Sequence, residues 1–105
     1  VSLNYLTGTS QQRIQTMALP RRALPPGARV LVIDDFMRGG GTARGMMDLL
    51  GEVGAEVVGI GVFVATAQPE QKRVDRYHPI LVLDSVSEAE RKIHLRLGQW
   101  LCETL

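Results

Sequence analysis

The chain is poor in the features that would mark several large protein classes. Its 105 residues include one cysteine, Cys102, so neither an internal disulfide nor a cysteine-built zinc cage is available. That usage fits a reducing, cytoplasmic compartment. No apolar run approaches the ~20 residues of a bilayer-spanning helix, and no targeting segment is visible. Charge of one sign is lacking too: 12 basic and 11 acidic residues leave a formal net charge of +1, which gives no general affinity for polyanions. Acids are absent before Asp34, although Arg13, Arg21, Arg22 and Arg29 fall in that stretch. A solvated basic edge and an anion-facing surface both account for this. What is present is 45% hydrophobic and 22% charged, the composition of a globular chain able to offset its ordering entropy. The length suits one domain. A strand pattern starts at once at Val1, with no Met before it, which reads as the later part of a longer chain.

Hydrophobic spacing predicts an α/β domain. Val1 to Leu6 alternates apolar and polar residues, Thr7 to Gln12 is short and rich in turn formers, and Arg13 to Leu19 alternates again. This predicts a hairpin with a mobile tip. Pro20, Pro25, Pro26 and Gly27 interrupt regular structure. Val30-Leu-Val-Ile33, Val57 to Val64 and Ile80-Leu-Val-Leu83 are continuous apolar runs, as expected of strands buried on both faces of a parallel sheet. Between the first two, Ala43, Met46, Met47, Leu50 and Val53 give one apolar helical face. Thr42 is the expected N-cap and Gly54 the expected left-handed C-terminal residue. Strand, helix and strand then form a βαβ unit. A short helix is expected over Pro69 to Tyr77, a turn or short helix over Ser87 to Arg91, and an edge strand over Lys92 to Leu97.

The chemistry concentrates in Asp34-Asp-Phe-Met-Arg-Gly-Gly-Gly-Thr42. Ligands of parallel α/β sheets bind beyond the carboxyl ends of the strands, and this segment follows the most apolar run. Adjacent carboxylates repel and require solvent, a metal or hydroxyl donors. Consecutive glycines can turn successive N–H groups inward at a helix start and so cradle an anion. Thr42 adds a hydroxyl and Arg38 a positive charge. Carboxylates for hydroxyls beside a nest for phosphate describe a sugar phosphate; the plain alternative is a tight turn with a solvated acid pair. A dinucleotide fingerprint fails because the glycines come late and in a run, and a Walker loop fails because no lysine adjoins Thr42.

Val30 to Thr42 resembles the phosphoribosyl pyrophosphate (PRPP) motif of type I phosphoribosyltransferases. The resemblance implies that fold: a parallel sheet with flanking helices and an antiparallel flexible hairpin. It implies that Asp34 and Asp35 hold the ribose hydroxyls. Phe36 and Met37 continue the motif, and Arg38, Gly39, Gly40, Gly41 and Thr42 wrap the 5′-phosphate. The hairpin tip, with Thr7, Gly8, Thr9, Ser10 and Arg13, corresponds to the loop that closes over PRPP, or is a plain hairpin. Asp34-Asp-Phe-Met, a basic residue and a small residue before Gly-Gly-Thr look like the branch of this family found in purine-operon repressors of Gram-positive bacteria. So do Val1 to Ser10, Arg13 to Met17 and Val58-Gly-Ile-Gly-Val62. That implies a PRPP-sensing effector domain, Mg²⁺ accompanying PRPP, homodimers, and operator DNA held through a winged-helix domain that lies upstream together with the pyrophosphate loop. Gly39 departs from the enzymes, which usually place Thr or Ser there. Losing a hydrogen bond to a charged group costs about 1.5–3 kcal/mol unless replaced, which suits a sensor better than a catalyst.

Other readings are weaker. A purine phosphoribosyltransferase would need a base-recognition hood, for which no segment stands out. The strand and acid pair also resemble a phospho-receiver with Asp84 as acceptor, but the glycine run has no place there and no lysine follows Lys92. Met46 and Met47 read as core, Asp84 as a turn former, and Arg21 and Arg22 as solvated linker. His78 and His94 lack partners at metal-ligand spacing, and Cys102 lacks a nearby base that would activate it.

Overall fold

A computed structural model describes residues 1–7 and 13–104. The hairpin consists of β1 (Ser2–Thr7) and β2 (Arg13–Ala18), paired antiparallel as a separate two-stranded sheet. A short 3-10 turn over Arg21–Ala23 leads to β3 (Arg29–Met37), α1 (Gly41–Glu52), β4 (Glu56–Thr66), β5 (His78–Ser87), β6 (Lys92–Leu97) and α2 (Gln99–Thr104). The main sheet has the order β3-β4-β5-β6. Its first three strands are parallel, and β6, the edge strand expected over Lys92 to Leu97, is antiparallel.

The core lies between this sheet and α1. Val32, Ile60 and Val62 from the sheet meet Ala43 and Leu50 of α1, and Val74 of the β4–β5 connection joins them. The helix is buried on a second side as well. Gly45 packs against Tyr5 of β1, and Leu49, one turn further along, is also buried. This hairpin contact places α1 between the two sheets and adds Leu49 to the apolar face read from spacing.

Four expectations are corrected. The apolar runs are covered on one face only: Leu31, Ile33 and Phe63 are about three-fifths exposed. Their side of the sheet has no helical layer among the described residues. The acid pair does not follow its strand but lies within it, because β3 continues to Met37 in register with β4 as far as Ala65. Thr42 is not the N-cap. That position is Gly40, at φ +86°, and no side chain caps the helix. Pro69 to Tyr77 forms no helix. Val74 is drawn into the core, the Arg73 N–H bonds to the distant Gly39 carbonyl, and the Lys72 side chain reaches back to Thr66. Gly54 does take the expected left-handed conformation, at φ +76°, closing α1 where the sequence indicates. The hairpin tip, with Gly8, Thr9 and Ser10, falls outside the described residues.

Candidate functional site

The site is the junction of β3 and α1. A cleft of about 330 Å³ is lined by Asp34, Phe36, Met37, Arg38, Gly39, Gly40, Gly41, Thr42, Ala43 and Arg73. All residues of the predicted segment except Asp35 are therefore in its wall. Asp35 is exposed beside it, and Thr7 and Arg13 stand at the paired ends of the hairpin strands.

Local geometry explains the cleft. Gly40 needs the left-handed region that glycine enters without steric penalty, and a side chain there would also crowd the Arg73 backbone nitrogen, 3.1 Å from an ideal Cβ. From that turn the helix starts with the Arg44 N–H donating to the Gly40 carbonyl at 2.9 Å. The N–H groups of an α-helix's first turn have no partner within the helix, and here no side chain caps them. They open into the cleft with the positive end of the helix dipole, a ready anion site.

Asp34 supplies the opposite character. Its Oδ1 accepts the Asp35 backbone N–H at 2.8 Å, which fixes one oxygen. Burial holds its pKa above the usual 3.8, and the neighbouring Asp35 charge pushes the same way against that stabilising hydrogen bond. An ionised, partly desolvated carboxylate is a strong acceptor for hydroxyls. Carboxylate and nest thus face one cleft with opposite preferences, as a molecule with both hydroxyl and anionic groups requires.

A brace stands behind the glycine loop that sequence reasoning missed. The Arg73 N–H donates to the Gly39 carbonyl at 2.8 Å. Lys72 Nζ donates to the Thr66 carbonyl at 2.7 Å and approaches Thr66 Oγ1 at 3.2 Å. Thr66 Oγ1 lies 3.4 Å from the Arg38 carbonyl. Burial lowers the Lys72 pKa. No period or spacing links 72–73 to 38–40, so only a three-dimensional view reveals the contact. Asp84 is not a turn former but part of β5, where its Oδ1 accepts from Arg96 Nε of β6 at 3.0 Å.

Comparison with known proteins now bears on this arrangement. Residues 3–94 match the phosphoribosyl transferase domain family. The chain belongs to that family. It is 45% identical over 101 residues to the purine biosynthesis transcriptional repressor PurR of Bacillus subtilis (strain 168), covering 96% of this chain and 35% of that protein. It is 33% identical over 69 residues to a xanthine phosphoribosyltransferase of Laribacter hongkongensis (strain HLHK9), covering 65% of this chain and 36% of that enzyme. Among solved structures, adenine phosphoribosyltransferase from Thermoanaerobacter pseudethanolicus aligns with a TM-score of 0.63 at 23% identity, over 76% of this chain and 45% of that one. That likeness shows the shared fold. The chain spans about a third of the length of the curated relatives cited here. No helix among the described residues is long and apolar enough to cross a membrane.

Proposed function

We propose that this domain senses PRPP, bound with Mg²⁺, for a transcriptional repressor of purine synthesis genes. The carrying observation is the β3–α1 cleft, where Asp34 and an uncapped glycine nest line one space. Asp34 and Asp35 take the ribose hydroxyls, and Gly39 to Thr42 take the 5′-phosphate. Mg²⁺ usually keeps several waters and binds through one or two carboxylates plus the phosphates of its ligand. The hard oxygens of the acid pair suit that mode. No group of three or more metal-ligating side chains exists among the described residues, so PRPP itself would bring most of the coordination.

The same cleft would serve a phosphoribosyltransferase, and a xanthine phosphoribosyltransferase is among the relatives. Identity to the repressor is higher and extends over nearly the whole chain. Gly39 also leaves the loop without one hydroxyl. Regulation follows if PRPP binds the DNA-released conformation more tightly, since only differential affinity shifts an equilibrium. A tenfold weakening of operator binding requires about 1.4 kcal/mol of such coupling. The operator contacts and a homodimeric state belong to this proposal.

Calorimetric titration of Mg²⁺-PRPP into the full-length protein, with and without operator DNA, tests it. Saturable binding that Asp35→Ala abolishes, reduced operator affinity and no product on adding purine bases are expected. Absence of binding defeats the reading, and turnover of xanthine or another purine replaces it with the enzyme. Sedimentation of the same protein reads the dimer.

A further inference from the structure

We propose that Arg73 is a phosphate-binding residue, its guanidinium supplying the donors that the loop lacks at Gly39. The inference rests on the sugar-phosphate reading of the cleft and adds to it a residue from a different element. Arg73 lies on the β4–β5 connection, far from the motif in sequence, yet it lines the same cleft as Arg38 to Thr42. Its position does not depend on its side-chain rotamer. The backbone N–H is tied to the Gly39 carbonyl at 2.8 Å, and its nitrogen lies 3.1 Å from where a Gly40 Cβ would be. A long, always-charged side chain anchored at that point has the nest within its reach.

Electrostatics favour the assignment. A 5′-phosphate enters carrying up to two negative charges, near the Asp34 carboxyl, whose ionised form is already disfavoured by burial and, to a lesser extent, by its acidic neighbour. Helix-dipole and N–H donation meet part of that charge. A guanidinium supplies planar, paired donors suited to phosphate oxygens, and Arg73 approaches from outside the loop while Arg38 belongs to it. Gly39 presents no side chain between Arg73 and the nest. The absent hydroxyl and the arginine in the same cleft wall are complementary in donor count.

The test separates this inference from the reading beneath it. Mg²⁺-PRPP and, separately, ribose 5-phosphate are titrated into the full-length protein and its Arg73→Gln, Arg73→Lys and Asp35→Ala variants, with melting curves alongside. Arg73→Gln retains the backbone N–H and therefore the brace to Gly39. Its affinity for both ligands is expected to fall about tenfold or more at an unchanged melting midpoint. Arg73→Lys should recover part of the loss, and binding by Arg73→Gln should depend less steeply on salt. Unchanged affinity in Arg73→Gln, with Asp35→Ala defective, overturns the role of Arg73 and leaves PRPP binding standing. A loss confined to PRPP, sparing ribose 5-phosphate, also overturns it by moving the contact to the pyrophosphate. Affinity lost only together with thermal stability overturns direct contact, and a wild-type protein that binds neither ligand defeats both readings.

Discussion

At the scale of the residue, the ligand-binding role proposed for Asp34 works against stability. Its carboxyl is held above the ordinary pKa chiefly by burial. A carboxyl raised in the folded state binds its proton more tightly folded than unfolded. Its contribution therefore favours folding fully below the unfolded value of 3.8 and is lost as pH rises through the raised value. Near neutral pH the ionised side chain works against the unliganded fold. Asp34→Asn keeps an oxygen for the Asp35 N–H and removes the charge. Its melting midpoint at pH 7 is expected to exceed that of the wild type, with the difference disappearing below pH 3.8. Affinity for PRPP should fall roughly 10–100-fold, the worth of a charge-assisted hydrogen bond. Paired melting and titration curves check this; a variant less stable at pH 7 than at pH 3 relative to wild type contradicts it.

At the scale of the element, α1 makes the same substitution act in opposite directions at two of its glycines. Gly51 is exposed and has nothing within 4 Å of an ideal Cβ, whereas at Gly45 that Cβ would lie 3.2 Å from Tyr5 Cβ and 3.1 Å from its Cγ. Alanine improves helix propensity by up to about 1 kcal/mol at either place. At Gly45 it must also displace a strand, and overpacking of this kind costs typically ~1–3 kcal/mol. Gly51→Ala is expected to stabilise by about 0.5–1 kcal/mol, and Gly45→Ala to destabilise by on the order of 1 kcal/mol. Each kcal/mol moves the melting midpoint by roughly 4–8 °C in a domain of this size. A Gly45→Ala midpoint raised together with that of Gly51→Ala would mean that the hairpin does not pack on α1. Only part of this element-level organisation was legible in the sequence. Continuous apolar runs marked β3, β4 and β5, and the spacing of Ala43, Met46 and Leu50 marked α1, because burial imposes a local period. The acid pair and glycines were legible as a candidate site because their chemistry is contiguous. The cap at Gly40, the Arg73 brace and the course of 69–77 were not. Each is decided by contacts between segments distant in sequence, and those contacts outweighed the local helix signal. Leu49 escaped notice because its burial depends on the hairpin, and α2 because six residues are too short to show a period.

At the scale of the whole molecule, these residues form a plate. The extents are 49 × 37 × 19 Å and the radius of gyration is 15.4 Å, against about 13 Å for a compact chain of this length. Predominantly parallel sheets are normally covered on both faces, yet Leu31, Ile33, Phe63 and Ile80 stand open opposite α1. Gly59 and Gly61 lie beneath the first two: Leu31 Cδ1 is 3.2 Å and Ile33 Cδ1 3.1 Å from their ideal Cβ positions. Trp100 borders the same face, held by its Nε1–H donating to the Pro79 carbonyl at 2.6 Å and by an edge-on contact with His78. A contiguous apolar surface of this kind promotes association and dye binding. The 105 residues studied on their own are therefore expected to bind a hydrophobic fluorophore such as ANS in the folded state and to self-associate as concentration rises. Phe63→Lys should reduce both effects while leaving the melting midpoint nearly unchanged, because the ring at 58% exposure has little burial to lose. A covered Phe63 would behave in the opposite way. Its replacement would remove a packed aromatic, at about 3–5 kcal/mol for truncation alone, and the folded chain would exclude the dye. Fluorescence titration and sedimentation of the two proteins distinguish an open sheet face from a buried one.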